Sequence, residues 1–237
     1  MSTKARWRNG VLTYYDSVTH ETILPVGSMF FNDDFLGKAF DVTNTWTALD
    51  TAGATETLKG DQPQGVVELA LTNANEAQLA GIYMGDERPF TLNRALCFEA
   101  RLRFTVLPTG SVVAVWGLAG DHNAATDTVA EAIWFRVDGS GAVKVETDDT
   151  TTNNDDVATG ITVVANAWHI YRFEVDTAAT NVRFYIDGEQ VAATTTFDVS
   201  AVTTLQLQAV ARVGKEAGAT TVGTMEVDYI RVWQNRS

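Results

Sequence analysis

The sequence predicts an all-β chain built as two packed antiparallel sheets. Apolar and polar residues alternate with period two in run after run, and no sustained stretch places apolar residues at i, i+3, i+4 and i+7. Threonine occurs 32 times against 4 prolines, and β-branched residues on that scale favour strands. With 45% hydrophobic and 10% aromatic residues in 237 positions, the chain can fill one large core.

The first hairpin is Ala5 to Arg8, Asn9-Gly10, then Val11 to Tyr15, because Asn-Gly accepts the positive φ angles of a two-residue type I′ turn. A short strand from Glu21 to Val26 follows and ends at Gly27-Ser28. Longer strands are predicted over Met29–Phe31, Trp46–Leu49, Val66–Thr72, Gln78–Met84, Ala95–Val106 and Ser111–Leu118. Ala132–Val137 returns through Asp138-Gly139-Ser140-Gly141 into Ala142–Thr147, and Trp168–Val175 turns near residues 177–181 into Val182–Ile186. Leu205–Val213 and Thr224–Trp233 close the series. Residues 146–156 read as a polar, acidic loop, and 192–197 as a threonine-rich crossover. More than ten strands, each with one apolar face, are buried most simply as two sheets packed face to face. Two units follow: an N-terminal β arm over residues 1–28 for anchoring or oligomerisation, and one sandwich domain over 29–237.

The formal charge is −13, from 17 basic and 30 acidic side chains. That balance argues against nucleic acid and anionic membranes as partners. No window approaches the about 18 apolar residues of a membrane span, and no secretory signal opens the sequence, so synthesis in a host cytoplasm is expected. The charge is unevenly divided. Lys4, Arg6 and Arg8 put +3 in the first ten residues, which leaves −16 for the rest. Cys97, the single cysteine, sits in an alternating run and reads as a small strand residue.

The segment Ala167-Trp168-His169-Ile170-Tyr171-Arg172-Phe173-Glu174-Val175-Asp176, followed by Val182-Arg183-Phe184-Tyr185-Ile186-Asp187-Gly188, resembles the hairpins of concanavalin A-like domains. That jelly roll is shared by laminin-G-like modules, legume lectins and laminarinase-type glycoside hydrolases. The closing Met225-Glu226-Val227-Asp228-Tyr229-Ile230-Arg231-Val232-Trp233 is similar to their last strand. A second resemblance rests on Lys4-Ala5-Arg6-Trp7-Arg8-Asn9-Gly10-Val11-Leu12-Thr13-Tyr14-Tyr15-Asp16, Thr19-His20-Glu21-Thr22 and Phe30-Phe31-Asn32-Asp33-Asp34-Phe35-Leu36-Gly37. Together with Leu118 to Asp121 and Val145 to Asp149, these are similar to virion proteins of tailed bacteriophages. This second resemblance implies a non-enzymatic capsid decoration, or cement, protein on the outer surface of the phage head. The implied partners are the major capsid protein and neighbouring copies, with a trimer favoured. A receptor- or glycan-binding module of a tail or head fibre is the alternative.

Catalysis finds little support in the residues. Laminarinase-like enzymes place their two carboxylates on one strand as E-x-D-x-x-E, and the similar string is Glu226-Val227-Asp228-Tyr229-Ile230-Arg231, with arginine at the third acidic position. Glu226 and Asp228 are expected on an exposed or rim face, with Val227 and Tyr229 pointing the other way. His20, His122 and His169 accompany no G-x-S-x-G elbow, and Gly139-Ser140-Gly141 is hairpin chemistry. No catalytic residue is assigned. Relatives of this fold often hold a structural calcium between an early loop and the last strand, where Asp34 and Asp228 stand here; no other cofactor is expected.

Trp46, Trp116, Trp134, Trp168 and Trp233 lie among apolar neighbours, either buried or forming a platform for a glycan. The arm is too short to bury Trp7, Leu12, Tyr14 and Tyr15 by itself. It either folds back on its own sandwich or docks on another subunit. In the second case Lys4, Arg6, Trp7, Arg8, Leu12, Tyr14 and Tyr15 are the contact residues.

Overall fold

The computed structural model describes residues 3–8, 11–26, 29–39, 41–122, 125–126 and 128–236, without the side chains of 8, 11 and 23–26. The described residues contain strands and turns and no helix. Three strands form a separate small sheet in the order β1-β2-β3: β1 (Thr3–Arg8), β2 (Val11–Asp16) and β3 (Thr22–Val26). Arg8 pairs with Val11, as a two-residue connection requires, while Asn9-Gly10 itself lies outside the described residues.

The other strands are β4 (Met29–Asp33), β5 (Thr47–Asp50), β6 (Thr55–Leu58), β7 (Val67–Ala70), β8 (Gln78–Tyr83), β9 (Phe90–Thr91), β10 (Cys97–Val106) and β11 (Gly110–Ala119). They continue with β12 (Glu131–Gly139), β13 (Ala142–Asp149), β14 (Asn153–Thr162), β15 (His169–Val175), β16 (Val182–Ile186), β17 (Glu189–Val191), β18 (Gln206–Lys215) and β19 (Thr224–Gln234). One sheet runs β17-β16-β15-β10-β19-β7-β6, with β4 beside the end of β19. The second runs β14-β13-β12-β11-β18-β8-β5, with β9 beside β18. Every pairing is antiparallel. The predicted all-β, two-sheet concanavalin A-like sandwich is the observed fold.

Alternation explains the core. On β10, Phe98, Ala100, Leu102 and Phe104 point between the sheets, as do Ile133, Phe135 and Val137 on β12 and Ala209, Ala211 and Val213 on β18. Trp116 is fully buried at the centre, edge-on to Tyr171 at 4.7 Å and stacked on Phe135 at 6.0 Å. The expected acidic loop over 146–156 is instead the end of β13 and the start of β14. Residues 153–162 look like a loop because β14 is an edge strand with most of its side chains in solvent, so little apolar alternation is left to see.

Candidate functional site

The residues of β10 that face away from the core are Cys97, Glu99, Arg101 and Arg103. Beside them on β19 the register skips one residue: Arg101 pairs with Tyr229 and Leu102 with Val227, which leaves Asp228 bulged. The bulge overturns the expected facing. Val227 enters the core, whereas Asp228 and Tyr229 both reach the outer face, Asp228 bonding Arg101 and Tyr229 donating to Glu99 at 3.1 Å. Glu226 and Asp228 are also buried, not exposed, at 1% and 4% exposure. Glu226 is gripped by Arg103 at 2.6 Å and Lys59 at 3.0 Å. A carboxylate so paired is a structural ion, which disfavours the E-x-D string of this strand as an acid–base pair.

The small sheet lies against this face. The Thr22 amide and hydroxyl donate to Glu99 at 3.2 and 2.7 Å, and Arg231 donates to the Thr22 carbonyl at 2.6 Å while pairing with Glu21 at 3.3 Å. Glu99 and Arg172 are buried beneath it, with Arg172 3.3 Å from Glu174 and stacked over Tyr185 at 4.4 Å. Burial pushes the Glu99 carboxyl above its ordinary range, although the Thr22 donors oppose the shift.

Two adjoining cavities open where the arm's turn meets this sheet. The larger, of about 640 Å³, is lined by Asp16, Glu21, Gln64, Arg101, Trp168 and Asp187. The smaller, of about 210 Å³, is lined by Glu21, Asp34, Gln64, Asp228 and Arg231 among others. Asp34 and Asp228, the expected calcium pair, thus reach one cavity. Each already meets a guanidinium, since Asp34 lies 3.3 Å from Arg231 and Asp228 is bonded to Arg101, so a cation there would have to displace both. Among the described residues no group of three or more histidine, cysteine or acidic side chains is placed to hold a metal ion.

Of the arm residues singled out in the sequence, Lys4, Arg6 and Trp7 are exposed, Trp7 at 72%. Leu12, Tyr14 and Tyr15 are half-buried, with Arg6 5.0 Å over the Tyr15 ring. The Arg8 side chain lies outside the described residues. Of the five tryptophans, Trp46, Trp116, Trp134 and Trp233 are buried. Trp168 is half-buried, with Arg101 and Arg103 at 4.6 and 4.5 Å from its ring.

The outer face of the second sheet carries a cluster that the sequence reading missed. Trp134 on β12 donates to Glu146 on β13 at 2.7 Å, Arg136 approaches the same carboxyl at 3.4 Å, and Asp156 on β14 hydrogen-bonds to it. Burial, reinforced by Asp156, pushes Glu146 up to about 7. Glu146-Thr147-Asp148 is an E-x-D string on a strand, concealed in the sequence by its assignment to a loop. Asp156 is fixed by Arg136 at 2.9 Å and Lys144 at 3.1 Å. Two carboxyl groups bonded to each other leave no room between them for a glycosidic oxygen, which needs about 5 Å. Nearby, His122 stacks on Tyr83 at 4.6 Å and borders a groove of about 470 Å³ with Arg88, Asp121, Glu131, Thr150 and Thr203. His169 bonds Asp187 at 2.6 Å, which orients a strand histidine.

No protein of curated function matches the chain in sequence. Among solved structures, an endo-β-galactosidase from Clostridium perfringens that releases GlcNAcα1-4Gal is similar at 15% identity and a TM-score of 0.60, over 86% of this chain and 62% of that one. A β-glucanase of Bacillus licheniformis is similar at 14% identity and 0.57, over 86% and 98%. The Emp47p carbohydrate recognition domain is similar at 12% and 0.53, over 81% and 89%. At such identities the likeness is one of fold. The model of the Laminin_G_3 family, described as the concanavalin A-like lectin/glucanases superfamily, matches residues 76–236. The chain belongs to that superfamily.

Proposed function

We propose that the chain is a non-enzymatic structural protein of a tailed-phage particle, a decoration protein bound to the outer surface of the head. The observation that carries this reading is β1, a short strand whose Lys4, Arg6 and Trp7 are all exposed, with the two cations on one face and Trp7 on the other. A short strand that exposes a large aromatic and two cations has the composition of a contact surface, not of a free strand. It supports docking on acidic groups of the major capsid protein, with neighbouring copies alongside and a trimer as the favoured assembly. The sequence resemblance of residues 4–37 to phage virion proteins points the same way. Replacing Lys4 and Arg6 by Glu and Trp7 by Ala should abolish binding to undecorated heads while the melting temperature stays within a few degrees. Quantitative mass spectrometry of purified particles should count hundreds of wild-type copies. A few copies per particle, or unchanged occupancy of the variant, would sink this reading.

The family and its neighbours fit glycan binding more than a capsid role, which supports a second reading, a glycan-binding module of a tail or head fibre. The cavity at Trp168 supports it, since an aromatic ring among Asp16, Glu21, Gln64 and Asp187 is suited to the hydroxyls and faces of a sugar. A glycan array with a hit lost in Trp168→Ala would establish that reading in place of the first.

A further inference from the structure

The turn between β2 and β3 carries Asp16 at one side and Glu21 at the other, with the Asp16 amide donating to the Glu21 carbonyl at 2.9 Å. Residues opposed in this way across an antiparallel pair send their side chains to one face, and both line the larger cavity beside Trp168. Asp16 is only 6% exposed. Its Oδ1 accepts the Thr19 and Val18 amides at 2.8 and 2.7 Å, and these donors hold its carboxyl below the usual range, so it stays ionised. Among the described residues no cation pairs with it, while Glu21 shares Arg231 at 3.3 Å. A buried charge without a counterion is costly unless something supplies one. The surroundings do not. Asp16, Glu21, Asp34, Asp187 and Asp228 line the two adjoining cavities against Arg101 and Arg231 alone. Both guanidiniums are engaged already, Arg101 by Asp228 and the Trp168 ring, Arg231 by Glu21, Asp34, the Thr22 carbonyl and the Tyr229 ring.

A ligand of this cleft must therefore bring positive charge. The acceptors are too few for a divalent metal ion, which takes about six to eight oxygens, but they match the N–H donors of an ammonium. The rest of the wall describes the body that carries it: Trp168 and Ile170 form an apolar side, and Thr19 and Gln64 offer a hydroxyl and an amide. Gln64 lines both cavities from a left-handed backbone, φ 76°, a conformation that costs energy and is kept where the surroundings impose it. They do so through Gly65, which packs so close to the Asp34 and Phe35 carbonyls that no side chain would fit. A hydroxylated ring with one apolar face suits such a wall. We propose that this cleft binds an amino sugar, its free ammonium held by Asp16 and Glu21 of the arm and its ring lying along Trp168 and Ile170 of the sandwich. The inference rests on the glycan-binding reading above and narrows it. Sugars that carry carboxylate or sulfate are turned away, and N-acetylation, which removes the charge, weakens binding.

Calorimetric titration of the full chain with a glucosamine oligosaccharide, its N-acetylated counterpart and spermidine tests this. The free-amine sugar is expected to bind about tenfold or more tightly than the other two, and to lose about that factor in Asp16→Asn, which removes the charge and keeps an acceptor for the turn amides. Glu21→Gln is the second variant, and the melting temperature of each shows that the fold is kept. Unchanged affinity in both folded variants would overturn the inference. If the two sugars bind equally and Trp168→Ala abolishes both, the glycan reading stands and the assignment to an amine is overturned. Spermidine binding as tightly as the free-amine sugar would overturn the assignment to a sugar, since the ring would add nothing. If neither sugar binds, the glycan reading at this cavity falls together with the inference.

Discussion

Thr22 donates twice to Glu99, from its amide at 3.2 Å and its hydroxyl at 2.7 Å, although the two residues stand 77 positions apart. Hydrogen bonds to a buried charge contribute about 1.5–3 kcal/mol, and this carboxylate also accepts from Tyr229. Glu99→Ala is therefore expected to release the arm: hydrogen exchange at the Thr22 amide should quicken by about tenfold or more, with smaller changes along β10 and β19. Unchanged exchange at Thr22 would mean that something other than Glu99 holds the arm.

The second prediction concerns pH. Glu146 binds its proton near pH 7 in the fold and near 4.5 once unfolded, so between those values the folded state carries the extra proton. Stability must then rise as pH falls from 8 to 5.5, by about 2 kcal/mol from this group. Glu99, Glu174 and Asp228, also raised by burial, add in the same sense, while Asp138 and Asp187 are lowered and act only in more acidic solution. The difference between wild type and Glu146→Gln isolates the residue. Denaturation midpoints of the two that run parallel across this range would show that Glu146 ionises normally.

Why some of this was legible in the sequence and some not is a matter of range. Alternation on β10, β12 and β18 fixes which side chains enter the core, and Asn9-Gly10 announces a hairpin. Alternation cannot show what covers the opposite face. Glu99, Arg101 and Arg103 read as ordinary solvent-facing residues, and the arm that covers part of them joins segments far apart in the chain. One bulged residue, Asp228, was enough to reverse the facing of Tyr229. β14 was lost because an edge strand exposed on most sides has the composition of a loop. Among the tryptophans, the sequence showed apolar neighbours for all five but not that Trp168 sits beside a cavity.

Lys215 supplies a third prediction. Its ammonium is buried and donates to three carbonyls, of Thr72 and Ala74 at 2.6 Å each and of Thr221 at 3.1 Å, tying the loop after β7 to the segment before β19. Lys215→Met keeps the aliphatic stem and strands those acceptors, at about 2–3 kcal/mol, or roughly 5–10 °C in melting temperature for a chain of this size. Lys215→Arg should not restore it, because a planar fork cannot point three donors at one cluster of carbonyls. Full stability of Lys215→Met would show that water serves those carbonyls equally well.

Cys97 tests whether the arm shields this face. It faces outward on β10, between Glu174 on β15 and Trp233 on β19, yet it has no exposure. Burial, then the charges of Glu174 and Glu99, push its thiol well above the ordinary range, so the reactive thiolate is scarce while the face stays covered. Labelling of Cys97 by an aromatic disulfide reagent should therefore be slow in the native protein and quicken about tenfold or more in Glu99→Ala. Because the core side of β10 remains packed, this acceleration should appear far below the denaturation midpoint. If Cys97 in both proteins reacts only as the whole sandwich unfolds, the arm does not open independently, and the polar contact at Thr22 is as permanent as the core.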